Sequence, residues 1–254
     1  EGGGVRAAYW TARVLAELRR ADARFDRGLL ALSGVSGGAI GAAVYAACPA
    51  ATDAEVDACV DHFGETDLLT PLIGAWMFED LLARVLPSSL PVQLPSWVPS
   101  ALSSWWVSSQ AAQAYCRQPG CGFLTRGLWF EQALERAAPG LAHGITAAQG
   151  PTMLLLNATW VETGDRSVAA GLRIDWQGDR FANVRDPLVH AGGGDRRGLD
   201  MPLSAAAHNA ARFPFVNAIG RLRGADGRTA HLADGGYFDN GAAHRAADVL
   251  AGLR

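Results

Sequence analysis

Apolar residues near the start of the chain recur at intervals of three and four: Val5, Ala8, Ala12, Leu15 and Leu18. That period predicts an amphipathic helix over residues 4–20, and Gly28 breaks the pattern. Leu29-Leu30-Ala31-Leu32 is a short continuous apolar run, as in a strand buried on both faces. Ala39 to Ala47 is apolar and mostly small, which predicts a tightly packed helix. Asp53 to Phe63 reads as a helix capped by Thr52 or Asp53. Ile73 to Leu86 forms an amphipathic pattern through Ile73, Trp76, Met77, Leu81 and Val85. Leu128–Ala137 and Ala205–Arg212 read as further helices. Met153–Val161 is the clearest second strand, with Arg166–Asp175 and Thr229–Ala233 as others. Gly241–Leu253 reads as a closing helix capped by Asp239 or Asn240. Strands alternating with helices predict one layered α/β domain. A Pro/Ser/Trp-rich stretch follows Leu86, with Trp97, Trp105 and Trp106, and the segment from about residue 66 to 125 reads as an insertion or cap.

Composition narrows the class without naming a function. The chain has 254 residues, 49% hydrophobic and 19% charged, which suits one globular domain. A net charge of −3 provides no electrostatic footprint for nucleic acid. No apolar run reaches the ~20 residues that a membrane-spanning helix needs. Four cysteines are present. Cys116 and Cys121 flank Arg-Gln-Pro-Gly, a turn that a small disulfide would close in an oxidising compartment; the alternative is reduced thiols. A zinc site on Cys59 and His62 lacks a second pair of ligands.

The chemistry-bearing residues lie in three short motifs. Glu1-Gly2-Gly3-Gly4-Val5-Arg6 puts three glycines ahead of the first helix. Without side chains, successive backbone N–H groups turn toward one point, and the helix N-terminus behind them adds positive potential. Such a loop holds an anion, or an oxygen that becomes one. No Gly-Lys-Ser/Thr follows, so it is not a P-loop. Arg6 opposes the helix dipole in the first turn and calls for a partner, which makes it a candidate brace for the loop; the alternative is a solvated arginine. A glycine loop of this kind follows a strand, so the expectation is a domain taken from a longer chain, with that strand missing.

Gly34-Val35-Ser36-Gly37-Gly38 is the second motif. A serine between glycines, after an apolar strand and before a small-residue helix, has the context of a nucleophile elbow. The alternative is a glycine-rich turn with an idle serine. Asp234-Gly235-Gly236 is the third motif. In isolation Asp-Gly is a turn. Behind an apolar strand it would bring a carboxylate to the sheet edge where Ser36 would sit, if both strands run parallel.

In this order the three motifs resemble the patatin-like phospholipase family, and they extend from residue 2 to residue 236. The resemblance implies a three-layer α/β/α fold with a mostly parallel central sheet. It implies lipid acyl hydrolysis by a Ser–Asp dyad, with Ser36 as nucleophile and Asp234 as general base. Gly2, Gly3 and Gly4 correspond to the family's oxyanion loop, to which the N–H of Gly37 would add, and Arg6 to its arginine. No metal or cofactor enters that mechanism. The implied partner is a phospholipid or other acyl-ester lipid, reached at a peripheral membrane surface. Two further readings stay open: a non-catalytic lipid- or partner-binding module, and an esterase or thioesterase for soluble acyl groups. A Ser36–Asp234–His244 triad is formally available, but His244 falls on the closing helix.

Overall fold

The computed structural model describes residues 3–48, 51–85, 126–147, 152–172, 183–195, 199–242 and 247, with the backbone alone for 78–85. The helices are α1 (Gly4–Ala21), α2 (Phe25–Gly28), α3 (Ser36–Ala47), α4 (Asp53–Glu65), α5 (Leu69–Val85), α6 (Arg126–Ala137), α7 (Pro187–Ala191) and α8 (Leu203–Ala210). The strands are β1 (Ala31–Val35), β2 (Met153–Trp160), β3 (Arg166–Ala170), β4 (Val184–Arg185), β5 (Gly220–Arg223) and β6 (Thr229–Asp234). They form one six-stranded mixed sheet, so the chain is of the α/β class.

The expectation of a mostly parallel sheet is corrected. Only β1–β2 and β3–β4 are parallel, whereas β2–β3, β2–β6 and β5–β6 are antiparallel. Connection length explains two of the antiparallel pairs, β2–β3 and β5–β6. Parallel neighbours need a crossover of about a dozen residues or more, while short turns can join only antiparallel ones. Residues 161–165 link β2 to β3 through Gly164 at φ 72°, and residues 224–228 link β5 to β6 through Gly227 at φ 79°.

β2 is the centre of the sheet. β3 pairs with its residues 155–159 along one edge. β1 pairs in parallel with residues 153–157, and β6 pairs antiparallel with residues 158–160. Both overlap the β3 register, so both must lie on the opposite edge of β2. There they run toward each other and end head to head, Val35 opposite Asn157 and Asp234 opposite Ala158.

The sheet separates two clusters of unequal size. Leu154, Leu156 and Trp160 of β2 and Leu232 of β6 join a large core with α1, α3, α4, α6 and α8. Leu155, Val168 and Ala170 form a small cluster on the other side, with Met153 and Val184 against it. The alternation along β2 follows the two-residue period of a strand. At the far end of α3, Cys48 is bridged to Cys59 of α4 with Cα atoms 5.8 Å apart. This pairing was not anticipated, and it removes Cys59 from any zinc reading. Cys116 and Cys121 lie outside the described residues.

Helices α1 and α3 touch through small residues. A Cβ at Gly41 would lie 2.3 Å from the Ala8 carbonyl oxygen and 2.7 Å from the Thr11 Cβ. These helices begin at the glycine loop and at Ser36, so their spacing sets the distance between those motifs. Gly41→Ala is expected to force them apart and to destabilise the protein by about 1–3 kcal/mol, as overpacking does. Urea denaturation measures this, and an unchanged midpoint would contradict the contact.

Candidate functional site

The strand-to-helix turn at Ser36 is tight. Ser36 has φ 53°, in the left-handed region, at a cost of about 1–2 kcal/mol for a residue with a Cβ. The chain folds back so closely that a Cβ at Gly34 would sit 2.6 Å from the Ala39 Cα. A Cβ at Gly37 would fall 2.1 Å from the Gly4 carbonyl oxygen. The opening glycine loop is therefore packed on the backbone directly after Ser36. Gly3 at φ 136° and Gly4 at φ 64° hold that loop in conformations that favour glycine.

Two helix N-termini meet here. α1 starts at Gly4 and α3 at Ser36, and neither has a side-chain cap or an acid in its first turn. Each leaves N–H groups of the first turn without an intrahelical partner and a positive end of the helix dipole.

Asp234 enters from the opposing strand. Its Oδ1 accepts a hydrogen bond from the Gly236 N–H at 2.7 Å, which starts a 3₁₀ turn over Gly235–Tyr237. Its Oδ2 is buried and has no hydrogen-bond partner among the described residues. Asp234 as a whole is only 3% exposed. The Asp234 N–H donates to the Arg212 carbonyl at 3.0 Å, and the Thr159 hydroxyl donates to the Asp234 carbonyl at 2.9 Å. Gly235 completes the junction, because a Cβ there would lie 2.2 Å from the Asn157 carbonyl oxygen and 2.7 Å from a Val35 methyl.

Gly3, Gly4, Ser36 and Asp234 line one half-open cavity of about 520 Å³, within the range of small-molecule sites. Asn217, Asn240 and the hydroxyl-bearing Tyr237 also line it, and Val5, Ile40, Leu69, Leu72, Phe130 and Val216 supply apolar wall. Its mouth carries exposed apolar side chains: Leu69 at 51%, Phe213 at 55%, Val216 at 51% and Tyr237 at 60%.

A buried ionic cluster supports the wall. Glu131 of α6 accepts from Arg212 Nη2 at 2.8 Å and pairs with His208 Nδ1 at 2.8 Å through the same Oε1. Burial alone would raise the Glu131 carboxyl, yet the hydrogen bond from His208 and the charge of Arg212 outweigh it and hold the carboxyl below its usual range. Burial, then the Arg212 charge, push His208 down to about 4. The imidazole is neutral, and its Nδ1 carries the proton, because an ionised carboxylate only accepts. Burial raises neighbouring Glu135, which accepts from the Ser204 hydroxyl at 2.7 Å.

The structure thus brings Ser36, Asp234, Gly3, Gly4 and Gly37 together. Gly2, His244, Trp97, Trp105 and Trp106 lie outside the described residues. Arg6 is exposed and makes no hydrogen bond or ion pair among the described residues, so the expected brace has no partner there. Of the segment 66–125, α5 is described and starts at Leu69, four residues earlier than the pattern suggested. Sequence reasoning missed Asn157, whose amide donates to the Gly34 carbonyl at 2.8 Å, the Leu155 carbonyl at 3.1 Å and the Ser33 hydroxyl at 3.1 Å. One amide in the otherwise apolar run Met153–Ala158 was the available signal. It also missed the Glu131–His208–Arg212 cluster, whose members are far apart in sequence. No family model, curated protein or solved structure matches the chain.

His208 makes stability depend on pH. Its folded value of about 4 lies below the ordinary 6.5 of an unfolded chain. The unfolded state therefore takes up a proton first as pH falls. The contribution is complete above pH 6.5 and is lost on the way down to 4, a change of a few kcal/mol. The His208 ring resonances are expected to stay those of a neutral imidazole from pH 8 to about 5. Titration near 6.5 would contradict the buried assignment.

Proposed function

We propose that the chain is a serine acyl hydrolase of the patatin-like type, acting on phospholipid or related acyl-ester lipids through a Ser36–Asp234 dyad. The observation that carries this reading is that Asp234, whose buried Oδ2 has no partner among the described residues, lines the same cavity as Ser36. Leaving a buried carboxylate oxygen without a partner is costly, which argues for a working role. The strained backbone at Ser36 and the two uncapped helix N-termini support the same conclusion.

In this mechanism Asp234 Oδ2 takes the hydroxyl proton as Ser36 Oγ attacks the ester carbonyl carbon. The Gly236 N–H holds Oδ1, so that Oδ2 is the oxygen left to act. The carbonyl π electrons move onto oxygen, and the oxyanion is met by backbone N–H groups of the glycine loop, Gly2 to Gly4, and of Gly37. Each such donor typically lowers a barrier of this kind by ~3–4 kcal/mol. As the tetrahedral intermediate collapses, the leaving alkoxide takes the proton from Asp234 and an acyl-Ser36 ester remains. Water, deprotonated by Asp234, attacks that ester and releases the fatty acid with Ser36 restored. The apolar wall takes the acyl chain, and the apolar mouth suits a lipid surface. A three-layer patatin-like arrangement belongs to the same proposal.

The test is acyl release from a panel of phospholipids and monomeric esters. Ser36→Ala and Asp234→Asn are each expected to lower turnover by at least about a thousandfold with folding retained. His244→Ala is expected to leave it nearly intact. Activity that survives both dyad substitutions would overturn the proposal, and release from monomeric esters alone would replace lipid with a soluble acyl substrate.

A further inference from the structure

Arg212 touches two parts of the site by different groups. Its carbonyl receives the Asp234 N–H at 3.0 Å, which seats the backbone of the candidate base. Its side chain, 93% buried, makes three hydrogen bonds: Nε to Asn209 Oδ1 at 2.7 Å, Nη1 to the Ala218 carbonyl at 2.9 Å and Nη2 to Glu131 Oε1 at 2.8 Å. The bond to Ala218 closes residues 212–218 into a loop. Phe213, Val216 and Asn217 of that loop line the cavity, as does Phe130 next to Glu131. The Asn217 amide adds a bond to the Ala211 carbonyl at 3.2 Å.

We propose that Arg212 is the positioning residue of this site: its guanidinium, neutralised by Glu131, fixes the cavity wall that receives the acyl chain, while its carbonyl fixes Asp234. The inference rests on the acyl-hydrolase reading above and adds the element that sets selectivity for chain length. A planar fork with three fixed acceptors specifies one loop conformation, which a lysine ammonium on a flexible stem does not reproduce. An unpaired arginine at this depth would be strongly unfavourable, so Glu131 is part of the device.

The experiment compares acetyl and decanoyl esters of one chromogenic alcohol, with the intact protein and its Arg212→Lys and Glu131→Gln variants. Melting is followed for each variant, and rates are taken below the transition. The parent is expected to favour the decanoyl ester in kcat/KM. In Arg212→Lys that preference is expected to fall tenfold or more, chiefly through a higher KM for the decanoyl ester. Glu131→Gln retains an acceptor oxygen and is expected to fall between the two; it carries the same comparison if Arg212→Lys does not fold. A purely structural role would lower both rates by one factor, so an unchanged preference in the folded variants overturns the inference while the hydrolase reading stands. A parent inactive on both esters and on the phospholipid panel overturns the two together; where phospholipid alone is cleaved, the same variants are compared on short-chain and long-chain phospholipids.

Discussion

The head-to-head ending of β1 and β6 on one edge of β2 is the constraint on which the candidate site depends. Two strands that approach from opposite ends of a third cannot pass each other on the same edge. Each must turn out of the sheet where they meet, at Asn157 and Ala158. β1 leaves as Ser36 and α3, and β6 leaves as Asp234 and a 3₁₀ turn. Ser36 from early in the chain and Asp234 from late in it are brought to neighbouring positions by backbone pairing rather than by loop flexibility. Asn157 reinforces the junction by donating to the last turn of backbone in β1.

Close backbone approach brings the third component. The Gly4 carbonyl and Gly37 occupy space that a single methyl group would fill. The small-residue interface between α1 and α3 continues that contact below the site. Two positive helix ends thereby adjoin a cavity whose one acidic lining residue among the described residues is Asp234. The arrangement favours negative charge developing beside Ser36, which is the electrostatic requirement of acyl transfer. Behind the wall, Glu131 and Arg212 neutralise each other while His208 stays uncharged, so little net charge stands in the interior to oppose that field.

Much of this was legible in the residues. Helix α1 and the Thr52 cap of α4 follow from apolar period and capping chemistry, and the cap is a reciprocal box with Glu55. The glycine spacing around Ser36 signalled a turn that only small neighbours permit. Other features were misread for physical reasons. The direction of β6 relative to β1 depends on pairing partners that apolar runs do not encode. The turn at Thr163-Gly164-Asp165 and the Asp226-Gly227 pair were the signals for antiparallel neighbours, and they were passed over. β5 was missed because it is only four residues long, with exposed Arg221 and Arg223 alternating with buried Gly220 and Leu222. The Cys48–Cys59 bridge depends on how α3 packs against α4, which sequence spacing does not reveal.

In the proposed mechanism Ser36 and Asp234 form one reactive unit. Covalent labelling by a fluorophosphonate, with the modified residue located by mass spectrometry, tests that coupling. A single adduct on Ser36 is expected, formed quickly by the parent and at least about a hundredfold more slowly by Asp234→Asn. Labelling of another residue, or equally fast labelling of Ser36 without the Asp234 carboxylate, would contradict it.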